Sequence, residues 1–260
     1  SLKTIHLAGD NAGSLDGDGT EEHPFRTFAQ AIDAADSGDT IIVHKGIYTG
    51  RYDINDKHGV ADAPIIIKAS TDPNDPLDLK NASLPGPIFT GKSNYADLDE
   101  EAAHECMTKI TGSSYITIEG LNVTGFRGAG IWLMDCDNIV LKNLKIWDID
   151  TPQSITSGVE GLLISGTTNS LLKDIDIWDI GQTRKSQADH GAYIGHCSNL
   201  VIDGLKVSKA PGGGIQFYSG DNYNIHSTNC VIKNSVFSES NLGLILCGIE
   251  GFIITNNTFY

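Results

Sequence analysis

From Ser114 onward the chain repeats itself, and this constrains its fold more than anything else in it. Five segments align: YITIEGLNV (115–123), IVLKNLKI (139–146), LLKDIDI (171–177), LVIDGLKV (200–207) and CVIKNSVF (230–237). A sixth, FIITNNTF (252–259), follows. Each alternates apolar and polar residues, the period of a half-buried strand. The equivalent apolar positions Ile118, Leu141, Leu172, Ile202, Ile232 and Ile254 are spaced by 23, 31, 30, 30 and 22 residues. A second strand follows each of the first five: GAGIWL, VEGLLI, DHGAYI, GGGIQF and NLGLIL. Its aligned glycines are Gly130, Gly161, Gly191, Gly214 and Gly243. A unit this short cannot bury its own apolar face, so the units must stack.

The reading is all-β: a right-handed parallel β-helix solenoid, a single domain over 1–260. The pattern of a leucine-rich repeat is absent. Stacking predicts an inward ladder of Val123, Ile146, Ile177, Val207, Phe237 and Phe259. It predicts a bend ladder of Gly120, Asn143, Asp174, Gly204, Asn234 and Asn256, residue types that suit a tight turn. Cys136 and Cys197 fall on equivalent positions two coils apart, about 9.6 Å, beyond disulfide reach. The five cysteines therefore read as unpaired.

The N-terminal part differs. Pro24 to Asp36 carries Phe25, Phe28, Ala29 and Ile32 at helical spacing, with Gly38 as its stop. A short helix here would cap the open end of the solenoid, so 1–48 is read as cap and first coil. TIIV (40–43) and PIIIK (64–68) read as strands. Residues 70–108, rich in proline and charge, read as a long excursion, and 114–260 as regular coils. The last segment has no second strand after it, so a continuation or a partner chain is expected over the last coil.

The stretch DGDGTEEHPFRTFAQAIDAADSGDTIIVHKGIY (16–48) resembles the N-terminal signature of secreted β-helix proteins, including pectate- and alginate-lyase-type polysaccharide lyases and mannuronan epimerases. The later coils are similar to their repeats. The resemblance implies a secreted, extracellular or periplasmic protein acting on an acidic polysaccharide or oligosaccharide. The formal charge of −15 argues against nucleic acid and anionic membranes as partners, and no apolar run is long enough to span a bilayer. The same charge would repel an anionic polymer, unless a cation or a local basic cluster intervenes.

Loop lengths locate a groove. From the end of strand one to the strand-two glycine the separations are 7, 15, 14, 7 and 6 residues. Two adjacent coils thus carry insertions, 148–160 and 179–190, which would build a wall. A third insertion, 219–229, lies on the opposite side of strand two. Alternation turns Trp132, Leu163, Tyr193, Gln216 and Ile245 outward between them. Trp132, Gln216 and Tyr218, with Glu160, Lys209 and Arg127 at the edges, are the candidate substrate-binding residues, because sugar rings stack on aromatic faces.

The stretch TRKSQADHGAY (183–193) supplies candidate chemistry. Eliminating a uronide needs its carboxylate neutralised, a base for the C5 proton and an acid for the leaving oxygen. Arg184 or a bound cation would neutralise, Lys185 or His190 would be the base, and Tyr193 the acid. Asp148 and Asp179 are equivalent in adjacent coils, and with Asp189 they are candidate ligands for Ca2+; pairing with Arg184 or Lys209 is the alternative. The favoured function is a lyase, or an epimerase abstracting the same C5 proton. A glycoside hydrolase using Glu160 with Asp189 or Asp179 is the second reading, and a non-catalytic adhesin or tailspike-like module the third.

Overall fold

A computed structural model describes residues 2–91, 105–220 and 226–260. The architecture is a right-handed parallel β-helix of two large sheets. Seven strands stack in one: Ile54–Asn55, Thr108–Thr111, Ala129–Met134, Glu160–Ser165, His190–Gly195, Gly213–Phe217 and Leu244–Leu246. The fifteen-stranded sheet has two limbs. One runs from Thr4–Leu7 through Thr40–Val43, Ile65–Ala69, Ser114–Glu119 and Asp137–Lys142; the other from Ile47–Thr49 through Ile88–Thr90, Asn122–Thr124 and Lys145–Ile149. Both limbs meet in Leu171–Ile180 and Val201–Ser208.

The limbs join at the predicted bend ladder. Gly120, Asn143, Asp174, Gly204, Asn234 and Asn256 all have positive φ, from 52° to 79°. Glycine, Asn and Asp tolerate this conformation best, which is why they recur there. Asn256 donates to Asn234 Oδ1 at 2.6 Å, and Asn234 to Asp203 Oδ1 at 2.8 Å. The inward ladder also holds: Val123, Ile146, Ile177, Val207, Phe237 and Phe259 pair in that order. All but the last are buried. Phe89 and Tyr48 extend it upward through register with Val123. The cysteines are all free, and only Cys247 is exposed.

Three expectations need correction. The N-terminal helix is shorter than the 24–36 stripe, spanning Phe28–Ala34. Thr27 caps it, accepting from Gln30 N while the Gln30 side chain returns to the Thr27 N–H; this capping box defines the start. Phe28, Ala31 and Ile32 bury its apolar side against the core. Second, regular stacking begins with Thr4–Leu7, whose Ile5 continues the Ile41, Ile67 and Ile118 row. Third, the excursion is partly coil: Ile88–Thr90 and Thr108–Thr111 are ladder strands. Residues 92–104 of it, and 221–225 of the 219–229 insertion, lie outside the described residues.

Candidate functional site

The outer face of the seven-stranded sheet carries the predicted row. Trp132, Leu163, Tyr193, Gln216 and Ile245 are in register on adjacent strands. The glycines beside this row exist because the chain packs closely there. A Cβ on Gly161 would stand 2.6 Å from Ile177 Cγ2, and one on Gly191 2.5 Å from Val207 Cγ1. Tyr193 lies between His190, ring centroids 5.6 Å apart, and the exposed Tyr218 at 6.2 Å. At the other end Lys109 Nζ sits 3.8 Å over the Trp132 ring, a cation–π contact.

The insertions 148–160 and 179–190 build one cross-braced wall. Asp150 is buried and accepts from Thr183 N at 2.8 Å and from Thr183 Oγ1 at 2.5 Å. Arg184 donates to the Ile155 and Ser157 carbonyls of the first insertion and pairs with Asp189 of the second. Asp189 is 0% exposed and also accepts from Val159 N at 3.2 Å and Ser186 N at 3.0 Å. Fork geometry lets a guanidinium satisfy several acceptors at once, so Arg184 ties the wall together.

Two titratable groups lie side by side beneath this wall: Glu160 and His190 are register partners on adjacent strands. Glu160, 8% exposed, has its pKa pushed up to about 8, first by burial and then by the Asp189 charge, with Arg184 opposing. It is therefore largely a neutral acid at pH 7. His190, 2% exposed, has its pKa lowered by burial, partly offset by the Ala188 backbone and the Asp189 charge. Among the described residues no side chain hydrogen-bonds either ring nitrogen, and the Ala188 backbone is the nearest partner. Burial pushes the Tyr193 phenol up to about 12, with Tyr218 and Glu160 adding to it. The site thus offers an uncharged imidazole, a phenol that keeps its proton and a protonated carboxyl.

Trp132, Gln216, Tyr218, Glu160, His190 and Tyr193 therefore share one face of the solenoid. Other candidates do not. Arg184 is consumed by Asp189 and by carbonyls. Lys185 is exposed and lines a different hollow with Gln182, Lys209, Pro211, Glu239 and Asn241. Lys209 also pairs with Asp179 at 3.6 Å, outside the groove. Arg127 is buried and precedes the Ala129–Met134 strand, so it is not part of the outward row. Lys109 was missed because its strand fell beside the excursion; the alternation in TKIT (108–111) was the available signal.

The metal ligands also need correction. Asp148 and Asp179 occupy a second bend row with Gly125, Lys209 and Glu239, all with φ between 49° and 70°. Their equivalence thus reflects a left-handed turn. Partial burial, Asp150 and Asp179 hold Asp148 above the usual carboxylate range, but Asp189 belongs to the Arg184 clamp. Among the described residues the one group bringing three ligand atoms within 4.8 Å of one another is His44, Asp75 and Asp78. This group is buried, follows the Thr40–Val43 strand on a different sheet, and could hold a metal ion.

A comparison of the sequence with curated proteins finds no match. Among solved structures the chain is similar to a pectate lyase, at 15% identity and a TM-score of 0.65, covering 92% of this chain and 55% of that one. It is similar to an alginate lyase from Paenibacillus sp., at 21% identity and a TM-score of 0.64, covering 89% and 72%. An exopolygalacturonase from Thermotoga maritima is similar at 11% identity and a TM-score of 0.59, covering 98% and 68%. The chain thus spans about half of the pectate lyase's length. At these identities the likeness is one of fold, and that fold hosts several reactions on carbohydrates. The family model of the right-handed β-helix region matches residues 109–260, more than half of the sequence, and the chain belongs to that family.

Proposed function

We propose that this chain binds an acidic polysaccharide along the outer face of the seven-stranded sheet and cleaves it by β-elimination. The observation that carries the proposal is the adjacency of His190 and Tyr193 in the groove. His190 is an imidazole kept neutral by burial, with, among the described residues, only the Ala188 backbone near its ring nitrogens, and Tyr193 is a phenol that stays protonated. His190 takes the C5 proton of a uronate. The C5–H electron pair forms the C4–C5 double bond and expels O4, which receives the Tyr193 proton. The two rings lie 5.6 Å apart at 53°, so the base and the acid are close enough to serve one sugar residue, and the proposal requires the Tyr193 ring to turn aside for the substrate to reach His190. Trp132 stacks a sugar ring and Lys109 supplies positive charge for a carboxylate on the same face. A polymer of this kind lies outside the cell, so the proposal carries an extracellular or periplasmic location.

A hydrolytic reading is weaker, because two working carboxylates are required. Glu160 qualifies as an acid, but Asp189 is sealed against Arg184 and Asp179 is paired with Lys209. Calcium at Asp148, Asp179 and Asp189 is not part of the proposal, for the same reason.

Incubation with alginate, pectate and glycosaminoglycans, followed near 235 nm where an unsaturated uronide absorbs, tests the reading. Activity should fall by about 10²–10⁴-fold in His190→Ala. Reducing ends without absorbance would overturn elimination in favour of hydrolysis. Unchanged chain length with altered C5 stereochemistry would indicate an epimerase, and binding without either a non-catalytic module.

A further inference from the structure

The N-terminal coils hold a polar cluster that the groove does not use. His44 is 0% exposed and follows the Thr40–Val43 strand. Its Nδ1 lies 3.0 Å from Asp75 Oδ2 and 3.3 Å from Asp78 Oδ1, both carboxylates being nearly buried. At these distances a protonated Nδ1 should donate to one of them, yet neither stands where the N–H points. A deprotonated Nδ1 would instead turn its lone pair on two carboxylates. Either state leaves a buried group unsatisfied, which is costly away from water. A cation on the Nδ1 lone pair, flanked by the two oxygens, removes the conflict. Metal–ligand bonds of about 2.0–2.2 Å set neighbouring ligand atoms about 3.0–3.5 Å apart, which is the spacing of His44 Nδ1 from each carboxylate, and all three ligand atoms lie within 4.8 Å of one another.

The surroundings are built as a support for such a site. His44 Nε2 lies 3.0 Å from His6 Nδ1, with the rings inclined by 13°. A metal-bound histidine characteristically engages a partner through its other nitrogen, which sets its tautomer and orientation. Asp75 Oδ2 accepts from Ser70 Oγ at 2.9 Å and Asp78 Oδ1 from Lys45 N at 2.8 Å, so both carboxylates are fixed in place. One imidazole and two carboxylates suit a borderline divalent transition metal better than calcium, which takes oxygen ligands.

We infer that His44, Asp75 and Asp78 form a binding site for a divalent transition metal of the zinc class, with His6 positioning His44. The ion links the end of an early coil strand to the Pro76–Leu79 turn of helix, and so braces the N-terminal coils independently of the groove.

The test uses the whole chain, stripped with chelator and titrated with Zn2+, then with Co2+ as a spectroscopic probe. One zinc per chain is expected, with a rise in melting temperature and visible cobalt bands of mixed nitrogen and oxygen ligation. His44→Gln should abolish stoichiometric binding and the thermal response, and Asp78→Asn should do the same. His6→Ala should weaken zinc by about 10–100-fold, the usual effect of losing a supporting group. An Asp148→Asn, Asp179→Asn double variant should bind normally. Failure of the stripped wild-type chain to bind zinc, whatever the variants do, overturns the inference. So does unchanged binding by His44→Gln. Neither result bears on polysaccharide cleavage, which is read separately at 235 nm.

Discussion

Replacing Glu160 by Gln offers the most direct check of the electrostatics beneath the wall. Burial raises the carboxyl from its ordinary value of 4.5 to about 8. At about 1.4 kcal/mol per factor of ten, that difference corresponds to about 5 kcal/mol between the two protonation states. The sign follows from linkage. The folded chain binds the Glu160 proton more tightly than the unfolded chain does. The associated stability is fully present below about pH 4.5 and is lost as pH rises through about 8. Glutamine mimics the neutral acid and cannot ionise. His190 and His44, whose values are lowered, act in the opposite direction but are common to both proteins. Subtracting wild type from Glu160→Gln therefore isolates this one group. By urea denaturation across pH 5–9, the variant should gain on wild type by about 4 kcal/mol, most of it before pH 8. A pH-independent offset added to this growth would leave the reasoning intact. A difference that does not grow with pH would refute it, and would mean that Glu160 is ionised in the folded state with water or a cation beside it.

Removing the Arg184 head with Arg184→Met should cost about 3–5 kcal/mol, because Asp189 is left as a buried, uncompensated charge; calorimetry measures this directly. Gly191→Ala should destabilise by about 1–3 kcal/mol through contact with Val207 and the Gly214 carbonyl, read as a lowered denaturation midpoint. Within the proposed reaction, Trp132→Ala should raise KM more than it lowers kcat, since stacking acts on ground and transition states alike; Lys109→Ala should lower kcat as well, since its charge meets the carboxylate on which negative charge builds as C5 loses its proton. Activity should fall on the acid side below pH 6.5, as His190 takes up a proton despite its lowered value, and steady-state rates against pH give the limb.

Periodicity alone was enough to find the solenoid, its inward row, the bend row of Gly120 to Asn256 and the wall of insertions. These features follow from rules that act locally and then repeat: alternation along a strand, left-handed turns that favour Gly, Asn and Asp, and a coil length kept nearly constant by stacking. The outward row of Trp132, Tyr193 and Gln216 was legible for the same reason, because a strand's period decides which side a residue faces. What each charged residue does was not legible. Arg184, Lys185, Asp189 and His190 lie within seven positions of one another, yet one clamps two loops, one faces solvent, one is sealed in the core of the wall and one borders the groove. Asp148 and Asp179 looked like ligands because they are equivalent, and they are equivalent because they turn the chain. His44, Asp75 and Asp78 are over thirty residues apart at their extremes and fall in no repeat. Burial and pairing of charge depend on which distant atoms displace water from a group, and only the tertiary structure decides that.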